Sequence, residues 1–230
     1  RIIVEREAEI EKFVPVEFWT IEAQLGGGKN QKLKAKFFGD ESGKIELATG
    51  DEAQKIVDAC RDSEFRVKSV KRSKKSRSPE PPFETSTLQQ VASKRFGFQS
   101  KRTMKVAQSL YEGVDLGAAN GGVHGIITYM RTDSLRISDE AANAAESYIR
   151  EKYGAEYYPT KRKVYKSKTA AQDAHEAIRP ASMAFPPEDI RSFLTTDQYK
   201  LYKLIWDRFV ASQMKNAEYD AKGTRGKNGD

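Results

Sequence analysis

The stretch "KRSKKSRSPEPPF", residues 71–83, divides the chain. Lys71, Arg72, Lys74, Lys75 and Arg77 sit among serines, and three prolines close the run. Such a composition has little to bury and reads as a solvated linker. A basic linker also suits contact with a DNA backbone, although charge runs are as a rule simply solvated. On its N-terminal side the apolar residues recur every second position. On its C-terminal side they recur every third or fourth. The fold class expected is therefore α+β and multidomain: a small β-rich domain, then a mainly helical one.

Before the junction, "QKLKAKFF" (31–38) alternates, with Leu33, Ala35 and Phe37 on one face and lysines on the other. "VEFWTIEAQL" (16–25) places Trp19, Ile21, Ala23 and Leu25 on one face. Both read as half-buried strands, and "GGGKN" (26–30) as the hairpin turn between them. "DEAQKIVDACRD" (51–62) has helical spacing and acids in its first turn, with Cys60 as a small core residue. "FRVKSVKR" (65–72) returns as a strand.

After the junction, "STLQQVASKRFG" (86–97) opens with Ser86 and Gln89 at capping-box spacing and ends at Gly97. "SKRTMKVAQSLYEG" (100–113) repeats the pattern. Two short helices joined by about three residues resemble a helix-turn-helix; an ordinary helical hairpin fits the pattern equally. Lys94, Arg95, Lys101 and Arg102 gather near their turn, which favours phosphate contact. "GVDLGAANGG" (113–122) reads as a flexible loop, residues 123–129 as a short strand, and Ser138 as the cap of another helix. "TKRKVYKSK" (160–168) is a second basic stretch, and "AAQDAHEAIRP" (170–180) a short helical segment stopped by Pro180. A last long helix runs from near "TTDQ" to Met214, with Tyr202, Ile205, Trp206, Phe209 and Val210 as its core stripe.

Composition narrows the function. The 230 residues carry a net charge of +7, which favours a polyanionic partner. With one cysteine and two histidines, a zinc site of the usual ligand count and an internal disulfide are both excluded. No apolar run reaches the roughly 20 residues of a membrane span, so no membrane partner is expected. "RIIVEREAEIEKF" is too charged for a signal peptide, which makes the cytoplasm the expected location.

The chemistry gathers in "GIITYMRTDS", residues 125–134. On an extended backbone Tyr129, Arg131 and Asp133 leave the same face. A free phenol, with a pKa near 10, is a poor nucleophile at neutral pH, and a neighbouring cation favours its phenolate. A guanidinium matches two phosphate oxygens and stabilises the charge that grows during transfer. Asp133 is expected to hold Arg131 in its rotamer, and His175 to offer a proton or hydrogen bond to the same phosphate.

"GIITYMRTDS" resembles the active-site tyrosine motif of type IA DNA topoisomerases, and "HEAIRP" (175–180) resembles that family's second signature. "PPFETSTLQQVASKRFGFQSKRTMKVAQSLYEG" is similar to the helical segment before the tyrosine, and Met130 favours the bacterial topoisomerase I branch. The resemblance, which runs from residue 1 to about 221, implies an isomerase. Tyr129 would attack a phosphodiester of single-stranded DNA and become linked to the 5′ phosphate. Resealing by the 3′ hydroxyl would follow, with relaxation of negative supercoils in the bacterial nucleoid. Arg131 and His175 would serve the phosphate, Asp133 would order the arginine, and Arg179 would contact DNA. The resemblance also implies Mg²⁺ held by acidic residues of a Toprim domain, for which no DxDxxG-like cluster occurs here; no metal ligand is assigned to this chain. It implies a gate-forming domain too, of which residues 1–14 resemble the last helix. Residues 15–80 with 216–230 would form the β-rich arch, and 83–214 the helical domain bearing the tyrosine. The chain alone is expected not to relax DNA. Two readings without chemistry stand beside this one: a helix-turn-helix DNA-binding module and a structural adaptor.

Overall fold

The computed structural model describes residues 1–27, 31–40, 42–61, 63–165 and 175–228. The fold is α+β, and the chain divides into two compact units, Arg1–Ser73 with Asp220–Asp230, and Lys74–Tyr219.

The first unit opens with α1 (Ile2–Glu11), a helix with no buried side chain. β1 (Glu22–Gly27) and β2 (Gln31–Lys36) then pair antiparallel, with Leu25 opposite Leu33 and Ala23 opposite Ala35. This is the expected hairpin; its turn at 28–30 lies outside the described residues. The first strand begins later than expected because the backbone changes partner upstream: the Trp19 N–H donates to the Leu47 carbonyl at 3.1 Å. α2 (Gly50–Cys60) starts from a reciprocal cap. The Thr49 hydroxyl accepts from the Glu52 N–H, and the Glu52 carboxylate accepts from the Thr49 N–H, each at 3.3 Å. Cys60, expected in the core, is only half-buried.

β3 (Phe65–Arg77) overturns the linker reading of its own second half. The basic run 71–77 belongs to a 13-residue strand on which every residue is exposed. A strand needs a partner backbone for its N–H and C=O groups, not a core for its side chains. That partner is a strand near the far end of the chain. The other end of the junction is the reverse of solvated, for Phe83 is fully buried and the Arg208 guanidinium lies 4.5 Å from its ring centre.

The second unit holds the core. α3 (Thr85–Phe96) begins two residues earlier than the sequence suggests, with Glu84 as N-cap; the Glu84 N–H donates to the Thr87 hydroxyl at 3.1 Å. Gly97 ends α3 at φ +67°, in the left-handed region that glycine adopts without strain. α4 (Ser100–Glu112) follows and packs against both α3 and the last helix. The expected flexible loop contains β4 (Val114–Asp115), which pairs antiparallel with β5 (Val123–His124) just beyond it. α5 (Asp139–Lys152) is capped by the Ser138 hydroxyl, as expected. α6 (Thr196–Gln213) buries Tyr202, Ile205, Trp206, Phe209 and Val210, the stripe read from its spacing, and Leu201 and Gln213 besides. β6 (Ala217–Asn228) pairs with β3. Gly223 lies against the Lys71 carbonyl and Gly226 against that of Arg66, so the two strands run in opposite directions. Leu88, Leu110, Ile126, Met130, Ile149 and Ile178 join α6 in one cluster.

Two expectations fail here for one reason. The strand expected over 123–129 ends at His124, and residues 175–180, expected helical, are extended. In both segments the backbone donors go to several different neighbours. The Ile126 N–H donates to the Leu110 carbonyl, that of Thr128 to Arg179, that of Ile178 to Phe83 and that of Ala177 to Arg136. Neither a continuous ladder nor a helix survives that division. Residues 166–174, which include parts of the second basic stretch and of "AAQDAHEAIRP", lie outside the described residues.

Candidate functional site

The motif segment starts with a close approach. A Cβ on Gly125 would meet the Tyr111 carbonyl oxygen at 2.4 Å, so only glycine lets the backbone pass the end of α4. The next residues sink into the core: Ile126 and Ile127 are buried. From there exposure alternates strictly. Tyr129, Arg131 and Asp133 are exposed, while Met130, Thr132 and Ser134 are buried. The shared face expected from the sequence is thus present, although no continuous strand supports it.

Thr85, in the first turn of α3, holds this alternation in place. Its hydroxyl accepts from the Thr132 N–H at 2.9 Å and donates to the Met130 carbonyl at 2.8 Å. Its own N–H donates to the Thr132 carbonyl at 2.9 Å. The Thr132 hydroxyl accepts from the Ser134 N–H at 3.0 Å, and the Ser134 hydroxyl from the Arg136 N–H at 3.1 Å. Thr132 and Ser134 are therefore tethers through their hydroxyls and Met130 through its carbonyl, and the three exposed side chains between them face solvent.

Tyr129 is 40% exposed, and its ring sits between two others. Tyr111 meets it edge-on at 5.3 Å between ring centres, and His175 lies 6.3 Å away at 39°. Edge contacts of this kind restrain a ring while leaving its hydroxyl free. By contrast, the Tyr202 phenol is buried and donates to the Phe185 carbonyl at 2.8 Å, and burial pushes its pKa well above the ordinary range.

Arg131 lines two open depressions. One, of about 530 Å³, is bounded by Glu84, Thr85, Ser86, Asp133 and His175. The other, of about 640 Å³, runs along α4 past Lys101, Lys105, Gln108 and Glu112. Among the described residues Arg131 has no ion-pair partner, and the expected pair with Asp133 is not formed. Other arginines of this unit are engaged: Arg150 with Glu146, and Arg162 with Asp139. A guanidinium with both faces unclaimed can receive an oxyanion at little cost in displaced protein contacts.

The remaining sequence candidates separate. Lys94, Arg95 and Lys101 are exposed. Arg102 is committed to α6, with bonds of 2.8 and 2.9 Å to the two oxygens of Asp197. Arg179, expected at DNA, is only 9% exposed. Its guanidinium is turned inward onto Glu176 at 2.5 Å and the Pro180 carbonyl at 2.8 Å. It braces "HEAIRP" from within and presents no free face. Sequence reading did not find Tyr111, Thr85 or Glu84. Nothing local marks them for a site, since Tyr111 and Thr85 are helix residues and Glu84 a cap, and each meets the motif from at least 18 positions away along the chain. Among the described residues no three His, Cys, Asp or Glu side chains group as metal ligands. Glu84, Asp133 and His175 share a depression without forming such a set. Nor, among the described residues, is any helix long and apolar enough to cross a membrane.

The helical unit thus presents an exposed phenol and, two residues on, an exposed guanidinium without an ion-pair partner among the described residues. The chain belongs to the bacterial type IA DNA topoisomerases: the DNA topoisomerase family model matches residues 1–230. It is similar to the full-length topoisomerase I of Thermotoga maritima, solved in a monoclinic crystal form, with 36% identity and a TM-score of 0.71. The match covers 99% of this chain and 37% of that one, so the chain spans little more than a third of that relative's length.

Proposed function

We propose that this chain is the tyrosine-bearing part of an enzyme that cleaves and reseals single-stranded DNA, relaxing negative supercoils in the bacterial nucleoid. The Tyr129 phenolic oxygen attacks phosphorus. A Tyr–O–P bond forms, the bond from phosphorus to the 3′ oxygen breaks, the phenolic proton is lost, and the leaving 3′ oxygen gains one. The 5′-phosphotyrosine ester conserves the bond energy, so the 3′ hydroxyl reverses the step without an energy cofactor. Arg131 stabilises the charge on the transferring phosphate, and His175 donates a hydrogen bond to it. Lys94, Arg95 and Lys101 contact the DNA backbone.

The observation that carries this reading is the alternation at 129–134. It exposes Tyr129 and Arg131 together on a tethered backbone, with the guanidinium free of ion-pair partners among the described residues. Asp133 is left without the role of ordering Arg131. In this reading residues 15–80 and 216–230 form the arch, residues 1–14 end a preceding gate domain, and 83–214 carry the chemistry. Magnesium, when bound by acidic residues elsewhere in the enzyme, supplies charge neutralisation at the phosphates.

The test combines this chain with the Toprim and gate portions of a type IA enzyme, adds labelled oligonucleotide, and traps covalent DNA by denaturation. Tyr129→Phe is expected to abolish the adduct and leave noncovalent binding nearly intact; an adduct on that variant removes the assigned role. The chain alone is expected to leave supercoiled DNA unrelaxed, and vigorous relaxation by it refutes that expectation.

A further inference from the structure

The cleft along α4 shares Arg131 and Lys101 with the reading above, which gives the cleft as a whole no role. Lys101, Lys105, Gln108 and Glu112 recur at helical spacing, so one face of α4 lines it for about 16 Å, at 1.5 Å per residue. Met104 also lines it. Lys101 and Lys105 are exposed, and neither has an ion-pair partner among the described residues. The one carboxylate, Glu112, accepts from the Gln108 amide at 2.6 Å. Arg131 also lines it and is shared with the depression that His175, the ring neighbour of Tyr129, borders. The cleft is thus a positively charged extension of the phosphate site, leading away along a helix of the same unit.

We propose that this cleft carries the backbone of the nucleotides that follow the phosphate taken by Tyr129, on its 3′ side. The inference rests on the phosphotyrosine reading. Once the 5′ phosphate is esterified to Tyr129, the strand beyond it stays attached to this unit, and its next phosphates need cations nearby. Lys101 and Lys105 supply them as mobile point charges that read no sequence, and Arg131 joins the first phosphate to the rest.

The test uses this chain and two oligothymidylates of equal length and charge, one phosphorylated at its 5′ end and one at its 3′ end, with binding read by fluorescence anisotropy. A 5′ phosphate seated at Arg131 sends its strand into the cleft; a 3′ phosphate there sends it the other way. The 5′-phosphorylated strand is expected to bind more tightly. The double variant Lys101→Ala/Lys105→Ala is expected to lose about three- to tenfold of that affinity, to erase the end preference, and to lower the salt slope by about 1.4, at about 0.7 per phosphate contact. Lys152→Ala/Lys200→Ala removes the same charge from exposed positions outside the cleft and is expected to keep the preference. Equal binding of the two strands, no binding by the wild-type chain, or equal losses in the two double variants overturns the proposal. Tyr129→Phe is expected to retain the end preference, since the binding is noncovalent. A lost preference with Tyr129-dependent adducts intact therefore sinks the cleft and spares the chemistry, and the converse result does the opposite.

Discussion

In the unit Lys74–Tyr219, residues from all four helices and from the extended segments between them are buried in a shared core. In the unit Arg1–Ser73 with Asp220–Asp230, the buried apolar residues among those described are Leu47 and Ala53. Ile2, Ile3, Val4, Phe13, Val16 and Phe18 there are 71–82% exposed. One unit is held by side-chain packing, the other by backbone pairing and helix caps. Buried apolar area is the dominant stabilising term, so the two are expected to differ sharply in stability. The candidate site lies wholly on the better-packed one. A phenol that must meet phosphorus along one line needs a backbone that does not drift, and the tethers of Thr85, Thr132 and Ser134 are only as rigid as the core beneath them.

The contrast can be broken most directly through Phe83. Phe83→Ala empties a fully buried site where the junction enters the core, and about 3–5 kcal/mol of unfolding free energy should be lost in urea titration. A loss under 1 kcal/mol would mean that the second unit is no better packed than the first.

Gly125→Ala comes next, because its Cβ must displace the Tyr111 carbonyl. The expected cost is about 1–3 kcal/mol, with broadened aromatic resonances for Tyr111 and Tyr129. Unchanged stability and spectra would show that the approach is slack.

Alkaline pH should then separate the units. Burial raises the pKa of Tyr202, and with it those of Tyr158 and Tyr165. Each of these groups keeps its proton longer in the folded state than in the unfolded one. Their contribution is complete below pH about 10 and is lost as pH rises through the folded values. Melting of the second unit should fall above that pH, and Tyr202→Phe should flatten the fall; an identical slope in that variant would exclude burial of Tyr202 as its cause.

The smallest effect is expected at Glu22. Lys34 and Lys36 on β2 hold its carboxyl below the usual carboxylate range, and the group is solvent-exposed. Its contribution is present above the unfolded pKa and lost as pH falls through the lowered folded one. Glu22→Gln should barely alter the acid limb, because exposed ion pairs contribute little. A pronounced acid shift would show the hairpin to be more electrostatic than its packing suggests.

Some of this was legible in advance. α4, α5 and α6 follow from caps and 3–4 spacing, and the β1–β2 hairpin from alternation around a glycine-rich turn, because those signals are local. The face shared by Tyr129, Arg131 and Asp133 was legible for the same reason. The core at Phe83 was not, since "SPEPPF" carries loop chemistry and contacts with Ile178 and Arg208, 95 and 125 residues later, fix its role. Arg179 and Arg102 looked available because charge on a sequence carries no address. Their carboxylate partners, Glu176 and Asp197, claimed their guanidinium groups, and Arg179 is buried besides.

The order of residues, by itself, determined which segments can be helix, which can alternate, and that a phenol and a guanidinium share one edge. Tertiary structure alone decided which cations stay unclaimed. It also settled that a basic run is strand and not linker, and that an extended motif is held by three different neighbours. Periodicity is written residue by residue into the chain, whereas the partner of a buried charge or of a backbone N–H depends on atoms that meet only when distant segments fold together.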